Sequence, residues 1–303
     1  METDLLKAAR AVNARFLKYK VWLDKQPLSE HSKRAYRSRI DHFLVFLANH
    51  NGDYRDVLDD PQERDCAVRD YKGYLKRTLK MQPTSVNSAL TAIDHFYQFL
   101  GLKRTKVKRE DLPQLAPKAL TKDEQKRFVR AAERCRRPKD KAVAMLLFYS
   151  GVRIGECAAL DVDDVSVTGR KNRVTVRSGK GDKFRQVPLH AEAVTALTDW
   201  LAKRAEKFKD KAIENALFVN PQGRRMSTAS LDLIIRKIGR DCGLALSAHV
   251  LRHTLLTNLV RGKNDLVMVA EIAGHKRLET TRRYTLPTES DREEAISKIM
   301  IEE

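Results

Sequence analysis

His249, Arg252 and His253 stand within one five-residue segment, H-V-L-R-H. On a helix, side chains three residues apart are neighbours on one face, so His249 and Arg252 could grip one phosphate together. Two histidines four residues apart also have the spacing of a zinc-binding pair, but the glutamate of that motif and a third ligand at helical spacing are missing. We therefore predict an anion-binding face without a metal, and we expect His253 to pack or to bond the backbone.

Two further cations lie where a backbone turn would present them. Arg153 begins a predicted helix in G-V-R-I-G-E, and its planar guanidinium stays charged at any physiological pH. It could clamp a phosphate, or it could simply pair with Glu156 or Asp161. Lys180 lies at the tip of a Gly-rich turn, where it could protonate a leaving alkoxide or be an ordinary surface lysine.

A tyrosine follows a Gly-His pair in the segment A-G-H-K-R-L-E-T-T-R-R-Y, which contains His275 and ends at Tyr284. A phenolic oxygen that faces a phosphorus held by arginines is a nucleophile, and it splits one phosphoryl transfer into two reversible steps. The alternative is that Tyr284 is a half-buried packing residue. Each of these segments alone therefore leaves a structural interpretation open.

The elements that must position these residues form a mixed helical and β-strand region. Thr121 and Glu124 make a capping box at the start of this region. Val174 and Val176 alternate with polar residues, a turn follows at Gly179-Lys180-Gly181, and the chain returns through Val187 and Leu189, which predicts a β-hairpin. Apolar periodicity predicts helices over 122–135, 140–150, 154–160, 191–208, 228–242, 249–261 and 265–273.

The charge of the chain points to a polyanionic partner. Its 303 residues include 59 Lys and Arg against 40 Asp and Glu, which gives a formal net charge of +19. With 42% hydrophobic residues and no apolar run long enough to cross a bilayer, the composition excludes a disordered chain and a membrane protein. Four dispersed cysteines without a C-x-x-C pair, and no basic-then-apolar leader, predict a cytoplasmic protein without disulfides or zinc knuckles.

The N-terminal part predicts a separate helical domain. Four apolar stripes over 1–102 have helical spacing and indicate a small bundle. Residues 103–118 contain two prolines and many charges without periodicity, which predicts a linker that is either a solvated spacer or a segment that follows a nucleic-acid backbone. We expect the second domain over 119–287, and Ser290 with Glu293 predicts a short tail helix within 288–303.

The order of the chemical residues resembles the tyrosine recombinase, or phage integrase, family. The ordered set is Arg153, Lys180, His249-x-x-Arg252, His275 and Tyr284. G-V-R-I-G-E is similar to the first arginine box of that family, and G-K-G-D-K-F-R-Q-V-P-L resembles its lysine hairpin. Segments 29–43 and 85–100 look like parts of its core-site-binding domain. We expect no further arm-binding domain before the bundle, so the chain resembles the compact Xer-type or transposon-borne recombinases more than the large phage integrases.

The resemblance implies a fold, an activity and a set of partners. The fold is mainly α with a small β-sheet: an N-terminal four-helix, SAM-like core-binding bundle and a C-terminal mixed α/β catalytic domain. The activity is site-specific recombination of duplex DNA through a 3′-phosphotyrosyl intermediate and a Holliday junction, without metal, cofactor or ATP. The partners are double-stranded DNA with paired core sites and three further copies of the chain, which is expected to be a monomer in solution.

The resemblance also implies roles for the residues around the scissile phosphate. Tyr284 attacks the phosphorus, and Lys180 protonates the leaving 5′-oxygen. Arg153 and Arg252 neutralise the nonbridging oxygens. His275 adds a hydrogen bond there.

Two supporting roles complete the set that the resemblance implies. His249 positions the phosphate or accepts the tyrosine proton. Glu156 supports Arg153 or a histidine and does not react itself.

The sequence leaves several alternatives open. Lys33, Arg34 and Arg37 could contact DNA, but a solvated helix face explains them as well. The tail could dock on a neighbouring protomer or fold back on its own domain. A type IB topoisomerase, a catalytically silent DNA-binding accessory protein and a metal-dependent nuclease are the competing functions.

Overall fold

The structure is a computed structural model that describes residues 14–50, 54, 57–112, 116–167, 169–177, 184–209, 214–287 and 289–297. The chain divides into two compact units, Met1–Pro113 and Gln114–Glu303. Most described residues are helical, and three short strands form one sheet. The predicted fold class, mainly α with a small sheet, is confirmed.

The described part of the first unit is built on four helices. They are α1 over 14–24, α2 Glu30–Asn49, α3 Pro61–Arg77 and α4 Pro83–Phe99. Prolines open α3 and α4, where the missing N–H has no helical partner to lose. The predicted stripes face a common aromatic core whose fully buried members include Tyr19, Phe43 and Tyr71. The start of the first stripe falls on residues 1–13, outside the described part of the chain.

Residues 103–112, at the start of the predicted linker, pack on the first unit. Buried Asp94 of α4 accepts hydrogen bonds from the backbone N–H of Thr105 and from the Arg109 guanidinium. Glu110 pairs with Lys72 of α3 at 2.7 Å. These contacts tie an irregular, charged segment to two helices, so this stretch belongs to the unit rather than spanning free solvent.

The second unit is organised around one buried helix. Helix α6 is apolar on every side and its residues from Ala142 to Leu147 are buried, so neighbours must cover all its faces. The predicted capping box of Thr121 and Glu124 is present at the start of α5. The helices are α5 Lys122–Glu133, α6 Pro138–Ser150, α7 Ile154–Ala159, α8 Ala191–Lys207, α9 Thr228–Asp241, α10 Ala248–Arg261 and α11 Leu266–Ala273.

The sheet of the second unit is antiparallel with strand order β1-β2-β3. Its strands are β1 Val165–Ser166, β2 Arg173–Arg177 and β3 Phe184–Pro188. Val174 opposes Val187 and Val176 opposes Arg185 in the β2–β3 pair, so the two predicted strands of the hairpin are confirmed. The two-residue strand β1 was not predicted. Lys180 and the rest of the turn over 178–183 lie outside the described residues.

The described residues at the end of the chain add three short helical elements. They are α12 Leu278–Arg282, a 3₁₀ turn Arg283–Thr285 and α13 Glu289–Ser297. Asp291 of α13 pairs with Arg261 at the end of α10 at 2.6 Å. Helix α13 thus begins close to the predicted position. The side chain of Ser290 lies outside the part of the chain that the structure describes. No described helix is long and apolar enough to cross a membrane.

Candidate active site

The site is assembled at the C-terminal end of α11. The carbonyls of residues 272–274 all accept hydrogen bonds from arginines that come from distant parts of the second unit. The last carbonyls of a helix lack helical donors and carry partial negative charge, so they attract cations. The pairs are Arg185 Nε with Ile272 at 3.0 Å, Arg252 Nη2 with Ala273 at 2.7 Å and Arg153 Nη2 with Gly274 at 3.0 Å.

Two glycines give the backbone the turns that this arrangement needs. Gly274 ends α11 with a φ of 63°, in the left-handed region that glycine adopts without steric cost. A Cβ there would lie 2.8 Å from Nη1 of Arg185, so a side chain would also displace that guanidinium. Gly151 ends α6 with a φ of 62° and leads the chain into Arg153.

Arg252 is the buried cation of the site. Only 3% of its surface is exposed, and its guanidinium donates to the Gly151 carbonyl and to Nε2 of His275, the latter at 3.1 Å. Burial and the nearby charge of Arg153 lower the pKa of Arg252 to about 10, so it remains charged at neutral pH. These contacts fix its orientation before any ligand binds.

His275 is held between Arg252 and Thr281. Because arginine can only donate, the His275 Nε2 is the acceptor of that bond, and in the neutral ring Nδ1 carries the proton toward Thr281 Oγ1 at 2.8 Å. Burial, together with the arginine charges around it, lowers the pKa of His275 to about 4. The ring is therefore neutral at pH 7.

Tyr284 is buried and its hydroxyl contacts His253. The 3₁₀ turn carries the tyrosine, only 5% of its surface is exposed, and its oxygen lies 2.8 Å from Nδ1 of His253. Burial raises the pKa of Tyr284 although Arg252, Arg283 and Arg153 act to lower it. His253 is buried, in agreement with the packing alternative, but its hydrogen bond goes to Tyr284 and not to the backbone, because the chain after α12 returns the tyrosine to this face of α10.

The two histidines of α10 differ in their surroundings. Burial first, and then the neighbouring His249, lowers the pKa of His253 to about 3, so its ring is neutral at pH 7 and its Nδ1 can accept the hydrogen bond of the Tyr284 hydroxyl. His249 is exposed, and its ring lies edge-on against His253 with centroids 4.0 Å apart. Burial and the charges of Arg252 and Arg283 lower the pKa of His249 as well.

Glu156 joins Arg153 to Arg185. One carboxylate oxygen accepts from the Arg153 backbone N–H at 2.7 Å and the other from Arg153 Nη1 at 2.9 Å. The same carboxylate receives Nη1 and Nη2 of Arg185 at 2.9 and 2.7 Å. Burial alone would raise the pKa of Glu156, but the hydrogen bonds from Arg185 and Arg153 lower it to about 2. The side chain of Arg153 remains 43% exposed, so this cation has an open side.

The structure brings together Arg153, Glu156, Arg252, His275 and Tyr284, all of them predicted site residues, and places His249 beside them. Sequence patterns did not predict Arg185 as a site residue or the contact of His253 with Tyr284. Arg185 had a signal, because it is two residues before buried Val187 and so shares the inward face of β3. The His253–Tyr284 contact had none, since no local pattern predicts a bond across 31 positions.

The three candidate DNA contacts of α2 differ in the structure, and the prediction for Lys33 is corrected. Only 7% of Lys33 is exposed, and its ammonium donates to the Asp24 carbonyl at 2.8 Å, at the C-terminal end of α1. A cation at that end satisfies a helix carbonyl and the helix dipole, which explains why this lysine is buried. Arg37 pairs with the Asp24 carboxylate, whereas Arg34 is exposed.

Comparison with known proteins identifies the family. Residues 118–290 match the family described as "Phage integrase family", and residues 14–104 match "Phage integrase, N-terminal SAM-like domain". The chain belongs to the phage integrase family. The resemblance to tyrosine recombinases that the sequence indicated is thereby confirmed.

Relatives and solved structures agree with this membership. Tyrosine recombinase XerC of Myxococcus xanthus is 33% identical over 280 residues, which cover 88% of this chain and 90% of that protein. Tyrosine recombinase XerA of Pyrococcus furiosus is 26% identical over 282 residues, which cover 92% of this chain and 92% of that protein. A crystal structure of XerA recombinase has 30% identity and a TM-score of 0.53, covering 96% of this chain and 98% of its own. A lambda integrase dimer bound to a COC′ core site has a TM-score of 0.66 at 16% identity, covering 96% of this chain and 99% of its own, which shows the shared fold.

Proposed function

We propose that the chain is a site-specific DNA recombinase that cuts and rejoins duplex DNA through a 3′-phosphotyrosyl intermediate and a Holliday junction. The observation that carries the proposal is the arrangement around α11, where a tyrosine hydroxyl lies in one cluster with two guanidinium groups and two histidines. The names of the relatives, tyrosine recombinases XerA and XerC, support the same activity.

The proposed first step is an in-line displacement at phosphorus. The Tyr284 oxygen forms the new bond to phosphorus as its proton passes to Nδ1 of His253, the nitrogen that already contacts it. The bond from phosphorus to the 5′-oxygen breaks, and Lys180 gives the leaving oxygen its proton. Rejoining reverses these transfers, so the energy of the broken bond is retained in the tyrosyl ester and no ATP is required.

The arginines supply the charge that the transition state needs. Arg153 has an open side for one nonbridging oxygen, and Arg252 is a fixed cation behind it. Two positive charges held in place stabilise the developing negative charge on the phosphorane, and the proposed mechanism therefore uses no metal or other cofactor. Glu156 keeps Arg153 in place.

The histidines on either side of the phosphate have positioning roles. His249 is exposed on the same helix as Arg252, and in this proposal it binds a phosphate oxygen. His275 would donate from Nε2, which requires the other tautomer of its ring. Thr281 accommodates both tautomers, since a hydroxyl can donate to Nδ1 as readily as accept from it.

The two units have separate roles in this proposal. The four-helix unit binds the core site, with Arg34 as the remaining exposed candidate contact of α2, and the second unit carries out the chemistry. The remainder of the predicted linker, residues 113–118, connects them. Four copies assemble on two DNA sites from monomers in solution, with the segment after Pro287 docking on a neighbouring copy, and the protein works in the cytoplasm. Unchanged synapsis after truncation at Pro287 would contradict the docking role.

A trapping experiment tests the activity. The DNA site is first selected from a pool of random duplexes with the Tyr284→Phe variant, which is expected to bind without cutting. A duplex of that sequence with a 5′-bridging phosphorothiolate at the cleavage position then accumulates the covalent complex, because the thiol leaving group does not rejoin. We expect trapping by the wild-type protein in EDTA and none by Tyr284→Phe. Cleavage that needs a divalent cation, or relaxation of supercoils without joining of two sites, would support a nuclease or a topoisomerase instead.

A further inference from the structure

Arg185 is a charged residue whose donors are engaged inside the protein. Its Nε donates to the Ile272 carbonyl at 3.0 Å, and its Nη1 and Nη2 donate to the two oxygens of Glu156 at 2.9 and 2.7 Å. Only 17% of its side chain is exposed. An arginine whose Nη1 and Nη2 bind a carboxylate and whose Nε binds a helix end serves to hold other groups in place.

The group that Arg185 holds is the carboxylate that in turn holds Arg153. Glu156 contacts both the backbone N–H and the Nη1 of Arg153, and Arg153 Nη2 contacts the Gly274 carbonyl. Arg185 and Arg153 therefore grip the same carboxylate and the same end of α11. Loss of the Arg185 fork would leave Glu156 free to rotate, and Arg153 would lose one of its two fixed neighbours.

The backbone around Arg185 is shaped for this contact. A Cβ on Gly274 would stand 2.8 Å from Nη1 and 2.9 Å from Cζ of Arg185, so the guanidinium lies directly on the glycine. Arg185 lies on β3, the strand that follows the lysine turn, and opposes Val176 of β2. It therefore connects this strand to the arginine cluster. Both features tie the hairpin to the carbonyl end of α11.

We infer that Arg185 is a positioning residue of the recombination reaction, acting through Glu156 to fix the guanidinium of Arg153 against the scissile phosphate. The inference rests on the proposed function. Arg185 itself does not touch DNA, so its replacement should slow cleavage and leave DNA binding unchanged.

The test uses Arg185→Lys, which retains the positive charge and removes the planar fork. The cleavage rate is measured in a single turnover, at saturating concentrations of the selected DNA with the bridging phosphorothiolate. We expect a decrease of about 10- to 100-fold, because a small displacement of a charge-stabilising group is enough for such a loss. The dissociation constant for uncut DNA and its salt dependence should not change.

Arg225→Lys is the matched control. Arg225 binds the other end of α7, through the Ala158 and Leu160 carbonyls at 3.0 and 2.9 Å and through the Asp161 carboxylate. It is a comparable structural arginine outside the site, so its replacement should leave the cleavage rate at the wild-type value. Glu156→Gln, which retains size and shape, tests the same link if Arg185→Lys does not fold.

A substrate that lacks the negative charge at the cleavage position distinguishes a loss of Arg153 positioning from a general structural effect. A methylphosphonate at the cleavage position has one negative oxygen fewer, so it depends less on a guanidinium. The penalty of Arg185→Lys should shrink on one diastereomer of this substrate, and Arg153→Lys should show the same pattern. An Arg185→Lys rate equal to wild type, or a penalty of equal size on every substrate, would overturn the inference. Absence of trapping by the wild-type protein would instead refute the proposed function.

Discussion

The contact between Tyr284 and His253 predicts a measurable coupling energy. The hydroxyl and Nδ1 lie 2.8 Å apart and both residues are buried. Replacing His253 by Phe leaves the buried tyrosine hydroxyl without its partner, which costs about 1–3 kcal/mol of unfolding free energy. In a Tyr284→Phe background this penalty is absent, so the two substitutions should be non-additive by about 1–3 kcal/mol.

Urea unfolding of the second unit measures this coupling without any DNA. The chain has two tryptophans, Trp22 in the first unit and buried Trp200 in the second, so a Trp22→Phe background makes fluorescence report the second unit alone. The four proteins of the double-mutant cycle are compared in that background. His249→Phe is the control for stability, because His249 is exposed on the same helix; its effect should be small and independent of Tyr284.

The same variant tests the chemistry on the selected DNA. If His253 takes the tyrosine proton, His253→Phe should lower the single-turnover cleavage rate by about 100-fold or more. Additive stability effects of His253→Phe and Tyr284→Phe would refute the contact. A cleavage rate close to wild type would refute the role of His253 as the proton acceptor.

Further predictions concern stability at acid pH, the glycine at the end of α11 and the affinity for DNA. Because the folded-state pKa of Glu156 is about 2 and its ordinary value is 4.5, its stabilisation is complete above pH 4.5 and is lost as pH falls toward 2. In urea unfolding, the wild-type protein should therefore lose about 2 kcal/mol more than Glu156→Gln between pH 7 and pH 3; an equal loss contradicts the pairing. Gly274→Ala should slow cleavage as Arg185→Lys does. Gly101 has a φ of 76° and open space around it, so Gly101→Ala should cost similar backbone strain, about 1 kcal/mol, without slowing cleavage. Affinity for DNA, measured by fluorescence anisotropy, should fall by about 10³ or more between 50 and 200 mM salt if six or more phosphates are bound, and a shallow dependence would contradict that footprint.

The helices and the hairpin strands were predictable because their signals are local. Apolar spacing marks the helices, and the alternation of Val174 and Val176 marks β2. Local capping chemistry placed the start of α5 at Thr121. Strand β1 escaped prediction because two residues are too few to show any period.

The contacts within the site depend on tertiary structure and were predictable only in part. His249 and Arg252 share a face because they are three positions apart, but the bond of His253 depends on where the chain returns with Tyr284. Lys33 looked like a surface cation in a basic helix, yet its ammonium caps the end of another helix. A charge pattern along one helix does not reveal which neighbouring carbonyl lies within reach.

The most direct test of the account is the chemical identity of the covalent linkage to DNA. The wild-type protein is incubated with the selected duplex carrying the bridging phosphorothiolate, digested with protease and nuclease, and examined by mass spectrometry. We predict a nucleotide attached through its 3′-phosphate to the peptide that contains Tyr284, and no such adduct with Tyr284→Phe. An adduct on another residue, or cleaved DNA without any protein attached, would contradict the central claim that this tyrosine is the nucleophile.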